Sequence, residues 1–274
     1  KLRMTIEVFA PAKVNLTLHV TGVREDGYHL LDSLVVFVDV GDQLRLTQSD
    51  QMSLKVTGPY ASGVPTDSSN LVWRAALLCG LTTDVVLEKY LPNAAGIGGG
   101  SADAAAVVRA ATQLGYAAQG DGASLGADVP VCMSSAPQRM QGIGERLMSV
   151  DDLPDIWMVL VNPRIGVPTP AIFSKLKNKS NAPMADILPD WTNFDNFCTW
   201  LGDQRNDLET PAIGIQPIIA DVLGTLSDAS LARMTGSGAT CFGLYPSAHA
   251  SATAAARIKR DNPDWWVAGA KVLK

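Results

Sequence analysis

Between a run of strand-forming residues, Val85 to Tyr90, and an alanine-rich run, Ala102 to Leu114, the chain reads Pro92-Asn93-Ala94-Ala95-Gly96-Ile97-Gly98-Gly99-Gly100-Ser101-Ala102. Four glycines within five residues remove the side chains that would keep a ligand away from the backbone. A strand therefore passes into a helix through exposed peptide groups. The first turn of such a helix has N–H groups with no intrahelical acceptor, and the positive end of the helix dipole lies there. Phosphate is the expected occupant. The competing reading is a flexible glycine linker. Two other phosphate loops fail on spelling. A P-loop ends in Gly-Lys-Ser/Thr, and no lysine lies between Lys89 and the helix. A dinucleotide turn needs G-x-G-x-x-G; Gly96 and Gly98 fit, but Ser101 occupies the last position.

Composition narrows the class of protein. The 274 residues are 47% hydrophobic and 18% charged, which predicts a globular chain with a sizeable core. The net charge of −5 and the lack of a basic block argue against a nucleic-acid partner. Cys79, Cys132, Cys198 and Cys241 form no C-x-x-C pair and sit among apolar neighbours, so buried free thiols are expected. His19, His29 and His249 show no metal-ligand spacing, and no metal ligands are assigned. No apolar run is long enough to span a bilayer, and the start of the chain lacks a secretory core. The expectation is a cytoplasmic protein without a membrane partner.

From Lys13 to Val20 the chain alternates. Lys13, Asn15, Thr17 and His19 share one strand face, and Val14, Leu16, Leu18 and Val20 the other. The polar face either lines a ligand site or is solvated. Leu34 to Val40 and Gln43 to Thr47 read as two strands around a Gly41-Asp42 turn. Asn70 can cap a helix from Leu71 to Cys79, with Gly80 as its stop. Pro130 disfavours helix at Val129, which places Asp128 past a helix end or at a strand start. Arg139 to Val150 reads as a hairpin, and Ala232 to Tyr245 as two strands around Gly236-Ser237-Gly238. Ile213 to Leu226 reads as one helix, weakened at Pro217, and Ala248 to Arg260 as another. Helices interspersed with strands, without regular alternation, predict an α+β fold. A boundary near residue 150 would divide the chain into domains 1-150 and 151-274.

Several stretches, in order, carry a resemblance. Ala10-Pro11-Ala12-Lys13-Val14-Asn15, the glycine loop and Thr235-Gly236-Ser237-Gly238-Ala239-Thr240-Cys241 resemble the GHMP kinase superfamily of galactose, homoserine, mevalonate and phosphomevalonate kinases. Asp26-Gly27-Tyr28-His29, Gly126-Ala127-Asp128-Val129-Pro130, Pro168-Thr169-Pro170-Ala171-Ile172-Phe173 and Asn206-Asp207-Leu208-Glu209 resemble a member whose acceptor alcohol carries a cytidine diphosphate. The family loop reads leucine where Ile97 stands and a second serine where Ala102 stands.

The resemblance implies a two-domain GHMP kinase fold. Its N-terminal half would be like the second domain of ribosomal protein S5, and its C-terminal half ferredoxin-like. It implies transfer of the ATP γ-phosphate to a small-molecule alcohol, with Mg2+ accompanying ATP. The implied catalytic residues are Asp128, as general base on the acceptor hydroxyl, and Lys13 as its charged partner. ATP contacts are implied for Asn70, Lys89, Pro92, Asn93, Ala94, Ala95, Gly96, Ile97, Gly98, Gly99, Gly100, Ser101 and Ala102. Substrate contacts are implied for Asn15, Tyr28, His29, Thr169, Phe173, Gly236 and Ser237. Tyr28 and Phe173 would offer stacking faces, and His29 a hydrogen bond to the base edge. The same residues admit plainer readings: a structural Lys13–Asp128 ion pair, a solvated Lys89 and core aromatics. Other readings of the whole chain are a homoserine or mevalonate type of kinase, a nucleotide-binding regulator without turnover, and a structural ribosomal-type domain.

Overall fold

The computed structural model describes residues 4–274. The first part of the chain forms β1 (Thr5–Asn15), β2 (His19–Val23), β3 (His29–Gln48), β4 (Ser53–Thr57), α1 (Leu71–Leu78), β5 (Thr83–Glu88), α2 (Gly99–Gln113) and α3 (Val129–Cys132). Then come β6 (Gln138–Gly142), β7 (Arg146–Ser149), β8 (Trp157–Asn162), α4 (Thr169–Ser174), α5 (Phe194–Gly202), α6 (Glu209–Ile215) and α7 (Ile218–Thr225). The chain closes with β9 (Leu231–Met234), β10 (Cys241–Tyr245), α8 (Ala248–Asp261) and β11 (Trp266–Lys271). This is the expected α+β mixture, without βα alternation.

Two compact units emerge, and neither is one continuous stretch. The first takes residues up to Lys13, Val40–Asn93 and Gly98–Ser135; the second takes Val14–Asp39, Ala94–Ile97 and Ala136–Lys274. In the first unit β5 lies parallel to β4 and antiparallel to the Gln43–Gln48 end of β3. Thr83, Val85 and Leu87 alternate inward along β5, the period expected of a strand with one face on a core. The Asn70 side chain caps α1 by accepting from Val72 N at 2.8 Å. Gly80 (φ 63°) stops the helix, as its spelling predicts. The inward face of α2 is made of alanines 102, 104, 105, 106, 110 and 111, all buried, and α1 packs against this helix.

In the second unit the His29–Val35 end of β3 pairs antiparallel with β2 and β6, and β6 continues to β7 as the expected hairpin. A separate four-stranded antiparallel sheet has the order β11-β8-β10-β9. Ile219 and Val222 of α7 and Ala254 and Ile258 of α8 pack with Val159, Val161, Cys241 and Tyr245 of that sheet. Each large apolar side chain buried this way stabilises the fold by about 1.5–3 kcal/mol relative to exposure.

Five local expectations are corrected. Gly41-Asp42 is no turn: β3 runs straight through it. A Cβ on Gly41 would lie 2.2 Å from Ala10 O, so the glycine serves close strand approach instead. The polar strand from Lys13 breaks after Asn15 and resumes at His19, and its four polar residues are all buried rather than solvated. The helix expected from Ile213 to Leu226 is two helices, parted at Gln216-Pro217 where Pro217 caps α7. Asp128 lies at neither a helix C-terminal end nor a strand: it stands at the N-cap position of α3 without a side-chain capping bond, and Pro130 falls in the first turn, where a missing N–H costs little. Cys79, Cys132 and Cys241 are buried free thiols as expected, but Cys198 is only half-buried.

Candidate active site

In the first unit, α2 begins three residues earlier than its alanine run suggests, at Gly99, with Gly98 (φ 64°) as N-cap and no side chain capping it. The N–H groups of Gly99, Gly100 and Ser101 belong to the first turn and have no intrahelical acceptor. Ala102 N already closes the helix onto Gly98 O at 2.8 Å. The N-terminus of a 15-residue helix is thus left bare, and its dipole favours an anion.

The Lys13 stem lies against this turn: a Cβ on Gly98 would stand 3.2 Å from both Cβ and Cε of Lys13. Lys13 Nζ pairs with Asp128 Oδ2 at 2.9 Å; the lysine side chain is 4% exposed and the aspartate 41%. One partner is therefore anchored, and the other is open to a ligand. Sequence placed these two residues 115 positions apart with no pattern linking them except the family resemblance, and the fold joins them beside the glycine turn.

Beneath the same turn lies a network absent from the sequence reading. Lys89 Nζ pairs with Asp42 and, at 2.9 Å, with Asp103 Oδ2. All three residues are buried, and Lys89 Nζ would be 3.5 Å from a Cβ on Gly99. Asp42 Oδ1 also accepts from Tyr90 N (2.6 Å) and Leu91 N (2.9 Å), tying the end of β5 to β3. Lys89, one of the implied ATP positions, has its ammonium inside this network. The group is neither solvated nor free, because two carboxylates hold it internally. Burial drives the Asp103 carboxyl up to about 8, against the pull of Lys89 and with the push of Asp42. Nothing in the spelling marked Asp42, because Leu34 to Leu46 also holds Asp39 and because Gly41 disguised Asp42 as part of a turn.

The remaining expected ATP residues are placed as follows. Asn70 spends its side chain on Val72 N and, at 2.7 Å, on Pro65 O. Asn93 donates to Tyr60 O (3.1 Å) and Ser62 O (3.3 Å). Pro92, Ile97 and Ala102 are buried, so Ile97 and Ala102 present only backbone to a ligand. Ala94 is exposed, with φ 51°.

In the second unit, Ala94–Ile97 meets the Gly236-Ser237-Gly238 turn, bringing together two glycine motifs far apart in sequence. A Cβ on Gly96 would lie 2.6 Å from Gly238 O, and one on Gly236 2.5 Å from Gly96 O. Thr240 donates its hydroxyl to Ala95 O, and Asn162 Nδ2 holds that hydroxyl at 2.8 Å. Gly96→Ala should therefore lose on two counts, a φ of 72° and a backbone collision. We expect it to cost more than the order of 1–3 kcal/mol that φ alone imposes. Gly115→Ala, with φ 85° and open space, is the control that pays for φ only. Thermal unfolding of the two variants checks this; equal losses would refute the close-approach reading.

The expected substrate residues of this unit also cluster in pairs. Thr169 Oγ1 and Ser237 Oγ are 2.8 Å apart. The His29 ring lies 4.5 Å from that of Phe173, inclined at 35°. Burial and the nearby Lys179 charge lower the His29 pKa, which keeps the imidazole neutral near pH 7, and its buried Nε2 has no partner among the described residues. Tyr28 is 60% exposed, with the Arg24 guanidinium 5.9 Å from its ring centre. Asn15 donates from Nδ2 to Ser33 Oγ and from N to Thr235 Oγ1, each at 2.8 Å, while its buried Oδ1 is unpartnered among the described residues. Unpaired buried polar atoms are costly and uncommon, and ligand sites are where they recur.

A bare helix N-terminus beside a buried lysine and an open aspartate is the equipment of a phosphotransferase. Comparison with known proteins agrees. The model of the GHMP kinases N terminal domain matches residues 70–136, and that of the GHMP kinases C terminal region matches residues 184–264. A protein of Ruegeria pomeroyi named 4-diphosphocytidyl-2-C-methyl-D-erythritol kinase is 55% identical over 98% of this chain and 100% of its own. The crystal structure of a 4-(cytidine 5'-diphospho)-2C-methyl-D-erythritol kinase superposes with TM-score 0.76 at 32% identity, covering 98% of this chain and 100% of that one. A homoserine kinase from Cytophaga hutchinsonii, 18% identical over 100% of this chain and 96% of its own, shares the fold at TM-score 0.64. The chain belongs to the GHMP kinases, in the family of 4-diphosphocytidyl-2-C-methyl-D-erythritol kinases. It is an enzyme, a phosphotransferase with an alcohol group as acceptor.

Proposed function

We propose that this enzyme transfers the γ-phosphoryl group of ATP to the 2-hydroxyl of 4-diphosphocytidyl-2-C-methyl-D-erythritol, a step of non-mevalonate isoprenoid precursor synthesis. The observation that carries the mechanism is the Lys13–Asp128 pair set against Gly98 at the bare start of α2.

The N–H groups of Gly99, Gly100 and Ser101 hold phosphate oxygens and stabilise the charge that shifts during transfer. The half-exposed Asp128 carboxylate accepts the acceptor hydroxyl, orients its oxygen toward phosphorus and takes the proton late, as the new bond forms. Lys13, held in place by burial, offsets negative charge at that oxygen. Mg2+ would enter with ATP and withdraw charge from the phosphates. Among the described residues there is no group of three or more His, Cys, Asp or Glu that could hold a metal. His29, Phe173 and Tyr28 take the cytosine ring, with His29 Nε2 supplying a directional bond. The Thr169–Ser237 hydroxyl pair and Asn15 Oδ1 meet the polar remainder. No described helix is long and apolar enough to cross a membrane.

ADP release in the presence of Mg2+, measured with diphosphocytidyl methylerythritol, mevalonate and homoserine, tests this reading. Turnover with the first alone is expected. Turnover with either of the others would keep the family and overturn the acceptor; ATP binding without turnover on any would favour a regulator. Phe173→Ala should raise KM for the cytidylated acceptor about tenfold or more, the loss of one stacking face, and leave KM for ATP near wild type. An equal rise in both constants would remove Phe173 from the base site.

A further inference from the structure

Arg109, in the second half of α2, takes no part in the chemistry described so far. Its Nη1 donates to Cys132 O at 2.8 Å and its Nη2 to Phe9 O at 2.7 Å. Cys132 is the last residue of α3, whose N-cap is Asp128, and Phe9 lies in β1, the strand that carries Lys13. We infer that Arg109 is a positioning residue: its guanidinium sets the spacing of the Lys13 strand and the Asp128 helix on α2, and so the geometry of the catalytic pair.

The physical case rests on what each element lacks alone. α3 has four residues, too few to persist as an isolated helix. The carbonyl of its last residue, Cys132, accepts from Arg109 at 2.8 Å and, at 3.3 Å, from Ser135 Oγ, and a cation there matches the dipole. Phe9 supplies a second carbonyl from another element. Both acceptors are neutral backbone atoms, and among the described residues no carboxylate pairs with Arg109. The side chain is largely removed from water, so an expensive charge is placed where it only joins main chains. The planar fork fixes the two carbonyls relative to each other, whereas an ammonium, a point charge on a flexible stem, imposes no such geometry. Asp128 is 41% exposed and held through its side chain by Lys13; α3 is the other restraint on it. A displacement of about 1 Å at a reacting group can cost on the order of 10²-fold in rate.

This inference rests on Asp128 acting as the base, and a double-mutant cycle separates the two claims. Arg109→Met, Asp128→Asn and the double variant would be assayed for kcat and for both KM values, with melting checked in each. Arg109→Met is expected to lower kcat about 10–100-fold while KM for ATP stays within about threefold. Arg109→Lys, which keeps the cation and loses the planar fork, should recover part of the loss. In the Asp128→Asn background the Arg109 change should cost less than about threefold, because the group it positions is gone. Loss by the same factor in both backgrounds, or folded Arg109→Met with unchanged kcat, overturns the inference while leaving the base intact. Asp128→Asn with near-normal kcat would instead sink the base reading. Should Arg109→Met fail to fold, Arg109→Lys carries the same cycle: a smaller kcat loss that shrinks in the Asp128→Asn background supports the inference, and an equal loss in both backgrounds, or none, overturns it.

Discussion

Replacing Asp128 by Asn should reduce kcat by about 10²–10⁴-fold, the usual worth of a positioned base, with ATP binding preserved. The geometry dictates the split. Phosphate donors come from backbone N–H groups of the α2 turn, which the substitution does not touch. Asp128 reaches Lys13 at 2.9 Å with its side chain 41% exposed, and asparagine has nearly its shape, so the substitution removes charge and proton acceptance, not packing. Lys13→Met differs in kind. Its ammonium is buried and its stem packs on Gly98, so both kcat and the shape of the phosphate turn should suffer. Because the two residues act as a unit, the double variant should fall little below the worse single one. Single-turnover assays at saturating ATP, paired with nucleotide binding, check all three. A folded Asp128→Asn enzyme within about fivefold of wild-type kcat would leave the carboxylate without a share in the chemistry that a base is worth.

How far the sequence carried these residues depended on the kind of interaction that places them. Backbone features were legible, because glycine spacing, the Asn70 cap and the Gly80 stop are local and spelled by residue type. The bare helix start could be read from four glycines and the alanines after them, although the start fell earlier than the alanine run because Gly99 to Ser101 take helical geometry from tertiary context. Partnerships across the chain were not legible. Lys89 reads as a charged residue at a strand end, and only the fold shows two aspartates converging on it from β3 and α2. Gly41-Asp42 spells a turn in any window, yet the glycine admits a neighbouring strand and the aspartate serves an ion pair. Arg109 has no motif, since both its acceptors are carbonyls, which every residue possesses. Buried polar networks are specified by three-dimensional satisfaction, which one-dimensional patterns carry poorly.

The Asp42–Lys89–Asp103 network should make Lys89→Met the most destabilising of these substitutions. Removing the cation strands two acidic side chains that are 0% and 4% exposed, and breaking a buried pair from one side typically costs about 3–5 kcal/mol. At about 2–4 °C per kcal/mol for a chain near this size, melting should fall by roughly 10 °C. The loss should depend on pH, with a sign set by the carboxyls. Burial, opposed by Lys89 and aided by Asp42, raises Asp103 to about 8, above its unfolded value. Folding therefore takes up a proton between about pH 4 and 8, and that contribution is full below about 4 and lost as pH rises through about 8. Burial pulls the Lys89 pKa down, but Asp103 and Asp42 outweigh it; the net shift is upward, and its own contribution fails only above the usual lysine range. Without Lys89 no cation opposes the burial that favours the neutral Asp103 carboxyl, so the variant's stability should fall more steeply with pH than that of wild type. The gap between the two proteins should be smaller at pH 5 than at pH 8. Asp103→Asn, which keeps an acceptor for Lys89 and removes the proton, should flatten the wild-type slope at little cost in stability. Urea unfolding of the three proteins at both pH values decides it. A Lys89→Met penalty that is constant with pH would mean that the aspartates reach water when the lysine leaves, and that the phosphate turn above them does not rest on a dry ion pair.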